Sequence, residues 1–192
     1  MAVGLEERAG AGLPDAARGA GGGRGVAPPR AAAALHGGRL LVAALWLGGA
    51  AFFSFAVAPS AFAVLPTRDL AAALVTRTLS VVNVGGFIIS LLLVVTSPVG
   101  RGHLRRAALG AEAAALAVVA AATAAGHWLI AARMRELRAR MGAPIDAVPA
   151  DDPLRVAFND LHGYSVAALT AGMLAGLVAL LLIARRTKGG SR

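Results

Sequence analysis

Five residues stand out in this sequence as able to do chemistry: Asn83, His127, His162, Tyr164 and Ser165. Each lies in or beside a long apolar stretch, where a polar group is costly to keep and so calls for a partner. The sharpest pair is His127 and His162. Neutral imidazoles on two neighbouring helices can ligate haem iron, copper or zinc. The sequence supplies little to complete such a site. It has no cysteine and only four methionines, which form no cluster, and it has no His-x-x-x-His pair. The plainer reading makes the histidines interfacial groups that bond to loops or headgroups, beside Trp128 and Tyr164 in an aromatic belt. Asn83 is then a helix–helix hydrogen bond. No Walker-type glycine-rich loop with lysine is present, so nucleotide hydrolysis has no support. No catalytic residue is assigned, and the protein is expected not to be an enzyme.

What must position these residues is a set of apolar runs. Residues 40–65 carry no charge. At 1.5 Å per residue, about twenty helical residues cross roughly 30 Å of hydrocarbon. Further runs cover about 79–97, 107–131 and 161–184. Apolar residues make up 57% of the chain and mean hydropathy is +0.69, far from a soluble globular domain. The apolar blocks do not alternate as strands do, so the fold class is all-α, a four-helix transmembrane bundle. An Ala61-Phe62-Ala63 stretch looks like a signal-peptidase site, but the apolar core before it is too long and too far along the chain, so a retained span is expected.

Residues 1–34 are rich in Gly, Ala, Arg and Pro and are expected to be a disordered tail. The membrane domain is expected over 35–186, followed by a basic tail at 187–192. Pro59 falls inside the first span and should kink it. Thr67 is a candidate N-cap, and Asp152 followed by Pro153 is another. Beyond residue 130 the third helix turns amphipathic, with Ile130, Met134, Leu137 and Met141 on one stripe and Glu136–Arg140 spaced as an i,i+4 pair. Gly142 and Pro144 should end it.

The net charge of +9 does not point to nucleic acid, because the basic residues sit in blocks at the ends of apolar runs. The segment to Arg39, the loop after the second span and the C-terminal tail together hold twelve Lys and Arg; the other side holds seven, nearly neutralised by acids. The positive-inside rule puts both termini in the cytoplasm. Asn83, His127 and His162, with Tyr164 and Ser165, then share an outer level of the bilayer, roughly 8–15 Å from its midplane, which implies an outward-facing polar pocket. Glu112 lies near the inner end of the third span, where Arg105 or Arg106 can pair with it. Arg77 can reach Asp160 or snorkel. His36 and His103 are expected to be solvated. Gly48-Gly49, Gly85-Gly86 and the Gly172-x-x-x-Gly176 motif allow close helix approach, the last either within the chain or in a homo-oligomer. The expected surroundings are a lipid bilayer, as a multi-pass protein of a bacterial inner (plasma) membrane, with no nucleic-acid partner.

With the spans placed, Trp46-Leu47-Gly48-Gly49, Phe52-Phe53-Ser54-Phe55 and Ala58-Pro59 resemble the opening of the domain of unknown function 4149 family, the transmembrane protein 205-like group. Met134-Arg-Glu-Leu137-Arg138 resembles its segment after the third helix, and Phe158-Asn-Asp-Leu-His162-Gly-Tyr-Ser165 its entry into the last. The likeness runs over about residues 36–184. Ala132 stands where the resemblance implies a proline, so no proline hinge is expected there. His36 and Trp46-x-Gly-Gly are more distantly similar to copper-resistance D-type membrane proteins, which implies shared architecture more than shared chemistry. The leading reading is a small-ligand binding or transport/export protein. The alternative is a haem- or copper-binding membrane protein using His127 and His162. The topology is directly testable: alkaline phosphatase fused after residue 145 should be active and a fluorescent protein at the C-terminus should fluoresce, whereas the reverse pattern removes the outward pocket.

Overall fold

A computed structural model describes residues 29–97 and 106–185. The expected N-terminal tail up to residue 28, the loop holding His103 and Arg105, and the tail from residue 186 lie outside the described residues. Four helical spans fill the rest: Arg30–Val64, Arg68–Thr96, Arg106–Met141 and Pro153–Arg185, each long and apolar enough to cross a membrane. No strand occurs among the described residues.

The first span is α1 (Pro29–Phe52), a π-helical turn (Phe53–Val57) and α2 (Ala58–Val64). It starts earlier than the apolar core alone implies: residues 29–34 are helical, opened by a proline, which suits the first helical turn. The irregularity expected from Pro59 takes the form of the π turn. Proline cannot donate to the carbonyl four residues back and its ring crowds it. The widened turn just before absorbs that defect, with the Ala58 N–H donating to the Phe53 carbonyl.

The second span is α3 (Arg68–Thr96), capped by the Thr67 hydroxyl, which accepts from the Leu70 N–H at 3.3 Å. The third is α4 (Arg106–Ala124), a π turn (Ala125–Ile130) and α5 (Ala131–Met141), ended by Gly142 in the left-handed conformation at φ 65°. The fourth is α6 (Pro153–Arg185), started by Asp152, whose carboxylate accepts from the Leu154 N–H at 2.7 Å. Each of these caps matches its sequence signal.

Neighbouring spans run antiparallel in a ring. The first packs on the second and fourth, and the third packs on the same two. The first and third are therefore diagonal partners. The exterior is apolar: Phe52, Phe55 and Phe62 are exposed, as are Leu41, Leu45 and Val81, while Phe53 turns inward. A bundle in lipid gains little from hiding such groups, so its interior must hold together by close packing and polar contacts.

Trp46 supplies the close packing. It is buried at the centre, and its indole N–H donates to the Val82 carbonyl of α3 at 3.0 Å. The ring fits because two neighbours lack a Cβ. One added at Gly86 would stand 2.6 Å from Trp46 Nε1, and one at Gly176 would stand 2.7 Å from the ring edge. Gly172 and Gly176 are both buried within the chain, so the GxxxG motif serves intrachain packing. Gly48, Gly49 and Gly85 have open space instead. We expect Gly86→Ala and Gly176→Ala each to cost about 1–3 kcal/mol through overpacking, read as a lower Tm in detergent. Gly48→Ala should be neutral or stabilising by up to about 1 kcal/mol, because helical glycine is entropically costly; equal Tm values for all three would contradict the wedge.

Candidate functional site

Two polar layers cross the bundle, one on each side of Trp46. The first lies toward the end opposite the chain termini and contains two of the expected site residues. Asn83 is only 5% exposed and packs against the backbone of Gly126, where an added Cβ would stand 2.9 Å from its Nδ2. Its side chain makes no hydrogen bond to a described residue, although its amide atoms are not fully enclosed, so the helix–helix bond expected of it is not formed. One turn earlier on α3, the Ser80 hydroxyl lies 3.2 Å from His127 Nδ1. Gly126 and His127 both belong to the π turn of the third span. That turn occurs without a proline: the Ala131 N–H reaches back to the Gly126 carbonyl, and the helix continues past Ala132. Such turns are concentrated at functional positions. Trp128 stacks edge-on against both His127 and Phe87, with centroids 4.9 and 5.1 Å away.

The other expected residues are not drawn into this layer. Gly172 of α6 faces Ala122 of α4. Because the two helices are antiparallel, Ala167 is then level with His127, and His162 stands roughly 7 Å further out at 1.5 Å per residue. His162 and Tyr164 are exposed and Ser165 is half-buried. The shared level expected from the sequence therefore resolves into an inner pair, Asn83 and His127, and an outer group on α6. No set of three or more His, Asp or Glu among the described residues is placed to hold a metal ion.

The second polar layer was not anticipated. Arg39, read in the sequence as one of the basic flanking residues, is buried, and its guanidinium donates to the carboxylate of Glu112, which is completely buried. Glu112 thus pairs across the diagonal with the first span, not with Arg106 on its own helix. The same guanidinium donates to the carbonyls of Thr96 at 2.8 Å and Leu93 at 3.1 Å. At this end of α3 the Ser97 N–H bonds to Val94 and not to Leu93. Arg39 thus takes up carbonyls that the helix terminus leaves over, where a cation also suits the helix dipole. The sequence signal was present: an arginine beside an apolar run, and a lone glutamate inside another. Removing Arg39 from the count of flanking charges does not change the sign of the asymmetry. His36, expected to be solvated, is half-buried one turn before Arg39.

Between the Arg39–Glu112 layer and Trp46 lies a cavity of about 10 Å³, lined by residues including Ser90, Leu93 and Leu116. That is room for about one water. At the opposite end, Arg138–Asp69 (3.7 Å) and Arg68–Asp146 (3.5 Å) tie the projecting part of the third helix and the loop after it to the start of α3. Arg138 also lies over the Phe158 ring at 5.5 Å. Leu137 is buried, as the apolar stripe implies, but Glu136 pairs with Arg133, at 2.6 Å, and not with Arg140. No Arg77–Asp160 pair forms among the described residues; Arg77 is exposed.

The family model described as a domain of unknown function, DUF4149, matches residues 41–143, just over half of the chain. The chain belongs to the DUF4149 family. No curated protein and no solved structure matches it. The matched region of this DUF4149 member includes Trp46, Asn83, Glu112 and His127 and both π turns. It leaves out Arg39 and α6, and with α6 the Phe158–Ser165 stretch.

The diagonal pair makes a clear prediction. Arg39→Ala or Glu112→Gln should each destabilise the bundle by about 3–5 kcal/mol, since each strands a charge in a buried site. Changing both residues to Met should cost less than either single change, in thermal unfolding of detergent-solubilised protein. Additive losses would show that the two side chains act independently.

Proposed function

We propose that this protein is a non-enzymatic membrane protein that binds a small polar ligand, for transport or export, at the layer formed by Asn83, Ser80 and His127. The observation that carries this reading is Asn83: a carboxamide 5% exposed, within a membrane span, with no hydrogen-bond partner among the described residues. Its amide atoms are not sealed off, so a small polar solute can reach them, and within a membrane an unmet polar group points to a site. Its amide can both donate and accept, and the Ser80–His127 pair lies one helical turn away. The π turn beside it supplies backbone that can shift between helical registers. The charge asymmetry supports placing both termini in the cytoplasm of a plasma membrane, with this layer in the outer half.

The alternative, haem or copper held by His127 and His162, gains less support, because the two residues stand at different levels of the bundle. The likenesses to transmembrane protein 205-like and copper-resistance D-type proteins add no ligand residues to either reading.

Trp128, in contact with His127, is a built-in reporter, since Trp46 is the only other tryptophan. Its fluorescence should change saturably with a small polar solute from a panel of acetate, acetamide and ethanolamine. Asn83→Leu or His127→Phe should weaken that response by about tenfold or more, the scale of one lost hydrogen bond in a buried site. Absence of any saturable response, or identical titrations for the variants, would count against the reading.

A further inference from the structure

We propose that the groove where the third helix leaves the membrane is a binding site for one zwitterionic phospholipid with a primary ammonium headgroup, of the phosphatidylethanolamine type. The groove has room for about 470 Å³. Trp128, Leu129, Ile130 and Leu161 form its apolar part, and Arg133 and Glu136 its polar part. His127 does not line it, so the site is distinct from the Asn83 layer and does not depend on the ligand reading.

Position, charge and exposure all favour this occupant. The groove straddles the point where the helix changes from Trp-Leu-Ile to a run of arginines, which is the level of the headgroups. Trp128 is 50% exposed and Leu129 69% exposed, so an acyl chain can lie along them. Arg133 and Glu136 face each other at 2.6 Å on successive turns. Their side chains are 59% and 49% exposed, and an ion pair so open to solvent is held weakly. A phosphate beside an ammonium presents the opposite charges at similar spacing: the phosphate can take the guanidinium, whose fork suits it, and the ammonium can take the carboxylate. An anionic lipid without the ammonium would meet the Glu136 carboxylate as a like charge, and specificity would follow from that repulsion.

The test uses the full chain in mild detergent, with phosphatidylethanolamine or phosphatidylglycerol of identical acyl chains added and bound lipid counted by native mass spectrometry. A single saturable phosphatidylethanolamine adduct is expected, favoured over phosphatidylglycerol by about fivefold or more. Glu136→Gln should remove the preference, and Arg133→Ala should weaken binding of both lipids by about tenfold. Both positions are exposed, so the variants should fold, and unchanged Tm values confirm it. As an independent reading, phosphatidylethanolamine with brominated acyl chains should quench Trp128 in the wild type and less in Arg133→Ala. Equal binding of the two lipids by the wild type, or variants that behave as the wild type, would overturn the proposal. So would a dimer mass with Trp128 shielded from quencher, since a second copy would then fill the groove.

Discussion

The bundle depends on one aromatic ring held between two glycines. In lipid, burying leucine against leucine gains little, because the acyl chains outside are equally apolar. Stability must come from contacts that lipid cannot imitate. Trp46 provides two kinds: dense packing against Gly86 and Gly176, and a hydrogen bond to a carbonyl of another span. The same ring reaches toward Thr123 on the diagonal helix, whose methyl group also borders the Gly86 position. All four spans are thereby keyed to a single side chain, and a shift of any one along its axis would open a void or force a clash.

The polar layers follow from the same constraint. A charge within the bundle must find an opposite charge, and Arg39 and Glu112 meet across the diagonal, where the two spans approach less closely than neighbouring spans do. The arginine also closes the end of α3. One residue thus joins three spans at the end nearest the termini. Trp46 fixes the middle of the bundle, and the surface ion pairs with the Arg138–Phe158 contact fix the far end. Between the middle and the far end, both first and third spans pass through π turns. The region that carries Asn83 and His127 is therefore the least regular in backbone.

Much of this was legible in the chain. The spans were readable from uninterrupted apolar runs, and the helix starts at Thr67 and Asp152 from residues whose side chains can cap. Gly142 marked an end because its φ suits few other residues. Pro59 announced an irregularity. These are local signals, each dictated by a few neighbouring residues. Partner choice was harder to read. Nothing near Glu112 in sequence points to Arg39, 73 residues away, and i,i+4 spacing alone favours Arg140 for Glu136 over the Arg133 it meets. Span boundaries read from hydropathy are too coarse to separate the levels of His127 and His162, which differ by roughly 7 Å, less than two helical turns.

By itself the sequence determined that the chain is helical and lives in a bilayer, how many times it crosses, and where its helices begin and end, because hydropathy and capping act over a few residues. Only the tertiary structure decided which glycines matter, that Arg39 meets Glu112, and that the Asn83 amide pairs with no described residue. Those outcomes depend on the rotation and axial offset of one helix against another. Both are set by how a ring fits between two helices distant in sequence, and no stretch of either helix read alone contains that information.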